Sequence, residues 1–126
     1  MIDSAGLNSY FSSAQEQSIR FVKELEGEDI SGHESKRITN QLALEADLIL
    51  IMESYMRERI LHMFPNLPGL EGKIIELKRF SPKADDNDDL DIEDPYMMLD
   101  SGYKKIIIEI RDYCKYFVDE WFQKRK

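Results

Sequence analysis

Two short apolar runs constrain the fold more than any other feature of this chain. They are LILIM, from Leu48 to Met52, and the KIIEL segment that begins at Lys73. Both have the length of a strand and a continuous apolar centre, which is typical of a parallel strand buried on both faces. Segments with helical periodicity precede, separate and follow them. The order helix, strand, helix, strand, helix predicts an α/β domain with a parallel sheet covered by helices on both faces.

Capping residues indicate where the first three helices begin. Ser13 and Glu16 stand at capping-box spacing before the amphipathic segment AQEQSIRFVKEL. Thr39 is placed to cap the short segment NQLALEA, and Ser54 to cap YMRERILHMF, which ends before Pro65. These positions predict a first helix, a short second helix and a third helix between the two strands.

The two ends of the chain complete the predicted fold. A long last helix is expected to open at Asp100 or Ser101, and the short opening segment MIDSAG is a candidate for another strand of the sheet. In open α/β sheets a ligand usually binds at the carboxyl ends of the strands. The last helix carries an apolar stripe at helical spacing: Tyr103, Ile106, Ile107, Ile110, Tyr113, Cys114, Phe117 and Trp121.

Composition limits the domain count, the partners and the compartment. The 126 residues, 42% of them apolar, are most simply one domain over residues 1–126. A net charge of -8 repels nucleic acid and anionic membranes, so neither is an expected partner. The first ten residues lack the pattern of a secretion signal, and LILIM is too short to span a bilayer. With one cysteine no internal disulfide forms, which favours a cytoplasmic location.

The acidic loop before the last helix superficially resembles a calcium site. Asp85, Asn87 and Asp89 alternate there as the ligands of an EF-hand do. However, Leu90 occupies the position where that loop needs glycine, and Tyr96 the position of its closing glutamate. We therefore interpret the loop as solvated charge and expect no metal site and no cofactor.

The histidines and the cysteine suggest no other metal or redox chemistry. His33 and His62 are far apart in sequence and form no zinc-binding pair. We interpret His33 as a hydrogen-bonding loop residue and His62 as a helix-surface residue. Cys114, in the middle of the apolar stripe, is expected to be a buried and inert thiol.

The step from Asp94 to Pro95 and Tyr96 has two possible interpretations. Asp-Pro commonly makes a turn, and here that turn would lead into the last helix. An aspartate held at the mouth of a site and partly desolvated would instead donate a proton to a leaving group. The local sequence does not distinguish a turn residue from a proton donor.

Five segments, spread over nearly the whole chain, resemble the low-molecular-weight protein tyrosine phosphatases. In order they are IDSAGLNSY, SGHESKRIT, ADLILIMESYMRERI, GKIIEL and IEDPYMMLDSGYKKIIIEI. The resemblance implies a flavodoxin-like, three-layer fold with a four-stranded parallel sheet. It also implies hydrolysis of phosphotyrosine protein or small aryl phosphates through a cysteinyl-phosphate intermediate, without a cofactor. The thioredoxin-coupled arsenate reductases share the fold, but they need further redox cysteines that this sequence does not contain.

The resemblance also assigns roles to individual residues. Asp94 matches the general acid of the family's D-P-aromatic motif, and Tyr96 matches the aromatic residue beside the substrate ring. Tyr10 matches the position of another ring-stacking aromatic residue. Met97 stands where a second aromatic residue often follows, so substrate preference need not carry over.

The family's C-x5-R phosphate loop is missing from these 126 residues. The sixth residue after Cys114 is Glu120, and the family's first strand, phosphate loop and first helix would precede IDSAG. Without a thiolate nucleophile and a phosphate cradle, residues 1–126 are expected to be inactive and N-terminally incomplete as a phosphatase domain. Lys36 and Arg37 are then interpreted as surface charge.

The absence of the first strand also has a structural consequence. In the family this strand lies between those matching IDSAG and DLILIM, so its loss either leaves two inner edges exposed to pairing with another chain or forces those two strands to meet. A homodimer through this edge is therefore possible. Two functions remain open: an enzyme to which the loop is supplied, or a non-catalytic pseudophosphatase or regulatory module that binds through the exposed edge.

Overall fold

The predicted order of helices and strands is confirmed. A computed structural model describes residues 2–7, 13–82, 84 and 89–123. Two 3₁₀ turns, Glu71–Lys73 and Leu77–Phe80, flank the second strand, and a π-helical turn, Asp119–Gln123, ends the described chain. The main elements are α1 (Glu16–Glu26), α2 (Asn40–Glu45), β1 (Ile49–Ile51), α3 (Tyr55–Met63), β2 (Ile74–Glu76) and α4 (Asp100–Val118).

The two apolar runs form one parallel pair, as predicted. Ile49 lies opposite Ile74, and Ile51 lies opposite Glu76. The expected strand in the opening segment is not formed over Ile2 to Ala5. Only Gly6, at its end, makes an isolated parallel bridge with Arg37. The sheet of the described residues therefore has two strands, because the opening segment pairs with the loop before α2 rather than with β1.

Side chains of β1 alternate between two apolar clusters on opposite faces of the sheet. Ile51 packs with Ala43 of α2 and Ile60 of α3 on one face. Leu50 packs against Leu77 and Ile106, which places α4 on the other face. This alternation follows from the two-residue period of a strand and gives the predicted three layers of helix, sheet and helix.

Helix α1 packs on α4 through apolar and polar contacts. The ring centroids of Phe21 and Tyr103 are 6.2 Å apart, and the Tyr103 hydroxyl lies 2.5 Å from the Ser18 hydroxyl. Arg20 pairs with Asp100 at 2.7 Å at the amino-terminal end of α4. These contacts fix the start of α4, and with it the end of the loop that contains the Asp-Pro step.

No helix in the described part of the chain is both long and apolar enough to cross a membrane.

The capping predictions have mixed outcomes. Thr39 caps α2 as predicted, because its side chain accepts a hydrogen bond from the Leu42 N–H at 3.2 Å. The capping box at Ser13 is wrong: Gln15 precedes α1 and makes no side-chain cap, while Ser13 pairs with Glu34 in an isolated bridge.

Candidate functional site

The Asp-Pro step forms a compact turn. The Asp94 carboxylate accepts a hydrogen bond from the Tyr96 N–H at 3.0 Å, so it folds over its own backbone. The Pro95 carbonyl accepts a second bond from the Met98 N–H at 2.9 Å. Met97 closes the turn with a φ of 71°, which places it in the left-handed region that non-glycine residues seldom occupy. The turn therefore fixes Asp94 and Tyr96 relative to each other.

Two contacts hold the approach to this turn at the carboxyl end of β1. The Ile92 N–H donates to the Met52 carbonyl at 2.7 Å, one residue beyond the strand. The Asp91 carboxylate accepts from the Ser54 backbone N–H at 2.6 Å and from the Ser54 hydroxyl at 2.7 Å. Asp94 follows three residues later, at the edge of the sheet where open α/β domains bind ligands.

Glu53 adds a third carboxylate at this edge. Burial raises the pKa of Glu53, and the negative charges of Asp94 and Asp91 raise it further. Glu53 lies two residues beyond β1, and Asp94 lies two residues after Ile92, whose N–H is bonded to the Met52 carbonyl. Over the described ranges no group of three or more histidine, cysteine or acidic side chains is arranged to hold a metal ion. The carboxylates thus make a negative rim around the end of β1.

The predicted site residues differ in what the structure shows of them. Asp94 is exposed, and Tyr96 is 50% exposed, so both side chains are accessible to a ligand. The described residues do not provide the partial desolvation expected of a proton donor at Asp94. Tyr10 lies outside the described residues. The structure therefore brings Asp94 and Tyr96 together, while their chemical roles stay predictions.

Sequence reasoning missed a small polar hollow beside the opening segment. The Gly6 N–H donates to the Lys36 carbonyl at 2.8 Å, and the Gly6 carbonyl accepts from the Ile38 N–H at 2.9 Å. Lys36 also pairs through its ammonium group with Asp3. The Lys36 side chain is exposed, as its interpretation as surface charge expects, and its backbone carbonyl and its ion pair with Asp3 also hold the opening segment. The hollow has a volume of about 220 Å³ and is lined by Ser4, Ala5, Gly6, His33, Ser35 and Lys36. The sequence signal that could have predicted this hollow was the density of small polar residues in its two lining segments, residues 4–6 and 33–36.

Cys114 is not the buried thiol that its place in the apolar stripe suggested. Its side chain is exposed on α4, although the stripe residues Tyr113 and Phe117 still pack against the apolar cluster around Ile106. Partial burial nevertheless raises the pKa of the thiol, which keeps it protonated near neutral pH. Cys114 therefore does not provide the thiolate of a C-x5-R loop, and Glu120 stands six residues later, where the arginine of that loop would be.

The described elements form an α/β domain whose Asp-Pro-Tyr turn lies at the carboxyl end of β1. A family model described as low molecular weight phosphotyrosine protein phosphatase matches residues 1–126. The chain belongs to this family, and its fold is flavodoxin-like. Comparison with curated proteins gives no match.

Solved structures agree with this assignment. The low molecular weight protein tyrosine phosphatase from T. tengcongensis is 26% identical, with 94% of this chain and 76% of that chain covered and a TM-score of 0.79. The tyrosine phosphatase Wzb from Escherichia coli K30, in complex with sulphate, is 26% identical, with 94% and 77% covered and a TM-score of 0.78. The YwlE arginine phosphatase from Geobacillus stearothermophilus is 22% identical, with 98% and 75% covered and a TM-score of 0.82, which bears on the fold alone.

Proposed function

We propose that this chain supplies the proton donor and the aromatic contacts of a phosphotyrosine phosphatase site. The observation that carries the proposal is the attachment of the segment before Asp94 to the carboxyl end of β1, through Ile92–Met52 and Asp91–Ser54. Family membership supports phosphatase chemistry, and by resemblance Asp94 matches the general acid of the family's D-P-aromatic motif. The substrate class is a phosphotyrosine protein or a small aryl phosphate.

In the proposed reaction Asp94 acts on the leaving group. A nucleophile attacks phosphorus, the bond from phosphorus to the tyrosine oxygen breaks, and that oxygen takes the proton of Asp94. Tyr96, half exposed beside the acid, and Tyr10 would flank the aromatic ring of the substrate. Because Asp94 is exposed, whatever completes the site must also cover it, so that the carboxyl holds its proton long enough to donate it.

The nucleophile does not come from residues 1–126 in this proposal. The single cysteine of the sequence, Cys114, lies on α4 and carries a thiol whose pKa is raised by burial. General acid catalysis alone is typically worth about 10²–10⁴-fold, a small part of what phosphate-ester hydrolysis requires. Residues 1–126 alone are therefore expected to hold the acid of the reaction without catalysing it. We also propose that they form a single domain, since both apolar clusters share β1, and that the domain is cytoplasmic, since the sequence has one cysteine and no internal disulfide.

Turnover with and without a supplied nucleophile tests the proposal. Residues 1–126 are incubated with p-nitrophenyl phosphate at mildly acidic pH, alone and with a peptide that carries an apolar strand followed by C-x5-R. We expect turnover only with the peptide, and a loss of about 10²–10⁴-fold in Asp94→Asn but not in the neighbouring Glu93→Gln. Turnover without the peptide that is abolished by Cys114→Ser would overturn the claim about the nucleophile. Turnover with the peptide that Asp94→Asn leaves unchanged would overturn the role of Asp94.

The second candidate function is a non-catalytic binding or regulatory module. It is favoured by one observation, the edge of β1 that β2 does not occupy. The coding sequence upstream of Met1 separates the two functions. An in-frame strand followed by C-x5-R supports the enzyme, whereas an in-frame stop codon supports the module.

A further inference from the structure

A second small hollow lies between α4 and the turn at Ser81 and Pro82, which follows β2 and its 3₁₀ turn. Its volume is about 230 Å³. None of its described lining residues belongs to the opening segment, to β1 or to the Asp94 turn, so it is separate from the candidate phosphatase site. The lining consists of Ser81, Pro82, Glu109, Asp112, Tyr113 and Tyr116.

Contacts within the protein fix the turn that forms one wall of this hollow. The rings of Phe80 and Phe117 pack edge to face with their centroids 5.1 Å apart, which holds the residue before Ser81 against α4. The Ser81 N–H donates to the Lys78 carbonyl at 3.1 Å, and the Ser81 carbonyl accepts from the Ala84 N–H at 3.1 Å. The wall is therefore in place without a ligand.

The other wall carries two tyrosine rings on one face of α4. Tyr113 is partly buried and packs against the apolar cluster around Leu77 and Ile106. Its hydroxyl donates to the Glu109 carboxylate, one helical turn earlier, at 3.2 Å. Tyr116 is 41% exposed, so its ring is accessible from solvent. The face of an accessible aromatic ring attracts cations, and most of all the planar guanidinium group.

Two carboxylates make the hollow negative. Glu109 and Asp112 are three residues apart on α4, a spacing at which helical side chains are neighbours. Burial raises the pKa of Tyr113, and the charge and hydrogen bond of Glu109 and the charge of Asp112 raise it further, so both charges act on this hydroxyl. Arg111, 3.3 Å from Asp112, compensates only in part, because it also pairs with Glu26 at 3.6 Å. No basic side chain is among the described lining residues.

The size of the hollow and its acceptor atoms select the kind of cation. Its volume is below the roughly 300–1,000 Å³ of sites for drug-sized ligands, so it fits a single side chain. The hydrogen bonds of Glu109 and Asp112 within the described residues use one oxygen of each carboxylate, Oε1 and Oδ1. A guanidinium group offers five N–H donors in a plane, which suits two neighbouring carboxylates, whereas a quaternary ammonium group offers none.

We propose that this hollow binds an arginine side chain of another protein, with its guanidinium group between the carboxylates of Glu109 and Asp112 and against the ring of Tyr116. The net charge of -8 favours a basic partner, because it attracts positive charge over the whole surface. The proposal does not depend on the role of Asp94 in catalysis, because the hollow is separate from that residue and binding is measured without turnover.

The test titrates the protein with the peptide Gly-Ser-Arg-Ser-Gly, blocked at both ends, and follows it by NMR, which detects the weak binding of one side chain. We expect saturable shifts of the ring resonances of Tyr113 and Tyr116. A peptide with lysine in place of arginine is expected to bind about two- to fivefold more weakly, because an ammonium group lacks the planar fork. A peptide with citrulline, which has a similar shape without the charge, is expected to bind about tenfold more weakly.

Variants of the protein separate the contributions of the ring and of the charges. Tyr116→Ala is expected to weaken binding of the arginine peptide about two- to fivefold, whereas Tyr116→Phe keeps the ring and should bind as before. Tyr55→Ala, which removes an exposed tyrosine from α3, is the matched control and should have no effect.

The charges are tested by the preference for arginine over citrulline. Glu109→Gln with Asp112→Asn is expected to reduce this preference about tenfold. Glu45→Gln with Glu58→Gln removes the same number of charges from exposed positions on α2 and α3, on the opposite face of the sheet, and should leave it unchanged.

Three results would overturn the proposal. They are an absence of saturable shifts at Tyr113 and Tyr116, equal binding of the arginine and citrulline peptides, and an equal effect of Tyr116→Ala and Tyr55→Ala. Sedimentation velocity on the protein alone covers the other source of an arginine, a second copy of the chain. Self-association that is abolished by Glu109→Gln with Asp112→Asn would assign the hollow to that second copy instead.

Discussion

The Asp91 carboxylate accepts two hydrogen bonds from Ser54, one from the backbone N–H at 2.6 Å and one from the hydroxyl at 2.7 Å. Ser54 directly precedes α3, so the carboxylate satisfies an N–H donor at the amino-terminal end of that helix, where negative charge is favourable. The same contact joins the end of the acidic loop to the residues that follow β1. It thereby positions the Asp94 turn.

Removing the Asp91 carboxylate is expected to loosen this junction. Asp91→Ala should lower the free energy of unfolding by about 1–2 kcal/mol, because both Ser54 donors lose their acceptor. It should also speed hydrogen exchange at the Ile92 N–H, which bonds to Met52. Chemical denaturation and exchange by NMR measure the two effects. Asp91→Asn keeps an acceptor oxygen and should lose less stability, and an equal loss in both variants would contradict the role of the hydrogen bonds.

The sequence predicted the elements whose signals are local. The apolar runs around Leu50 and Ile75 became the two parallel strands, because a run of that length and composition suits a strand buried between helices. Thr39 capped α2 because a cap needs only the residues of the next turn. The helical periodicity from Asp100 to Val118 predicted where α4 begins. It also predicted much of the buried face of α4, which includes Tyr103 and Ile106.

Features that depend on distant residues could not be predicted in this way. Ser54 was expected to cap α3 with its own side chain, but its hydroxyl donates to Asp91, 37 residues away. The opening segment was expected to be a strand. It instead bonds through Gly6 to the loop around Lys36, a pairing that no periodicity reveals. In the site, the resemblance selected Asp94, whereas the repulsion between Asp94 and Glu53 emerged only from the folded chain.

Neutralising Glu53 is expected to stabilise the fold at neutral pH. Burial and then the charges of Asp94 and Asp91 raise the pKa of Glu53 in the folded state, so its favourable contribution is present at low pH and lost as pH rises through that pKa. Glu53→Gln should therefore gain about 0.5 kcal/mol near pH 7, and little near pH 4. Urea unfolding at both pH values measures this. Glu93→Gln, at an exposed position, is the control. An equal gain in stability in this variant would mean that the effect comes from net charge rather than from the position of Glu53.

The turn after Asp94 is expected to contain backbone strain at Met97. Its φ of 71° is costly for a residue with a side chain, and that side chain is 81% exposed, so packing compensates little. Met97→Gly should raise the free energy of unfolding by about 0.5–1 kcal/mol, after the greater flexibility of glycine in the unfolded chain is subtracted. Met97→Val, with a branched side chain, should lower it. Thermal unfolding measures the stability of both variants. A change of stability in the same direction in both would contradict backbone strain at Met97.

The buried Glu76 at the end of β2 is expected to make stability depend on Arg57. Burial alone would raise the pKa of Glu76, but hydrogen bonds from Arg57 at 2.9 Å and Arg79 at 3.3 Å outweigh it and leave the pKa lowered. Its contribution is thus present above the pKa of the unfolded chain and is lost as pH falls through the folded value. Arg57→Ala should cost about 2–3 kcal/mol near pH 7, because it leaves a buried carboxylate without its better partner. The more exposed Arg79→Ala should cost less. Urea unfolding between about pH 7 and pH 3 should show that the stability lost in Arg57→Ala becomes smaller in acid. A loss of stability that does not depend on pH would instead be due to lost packing.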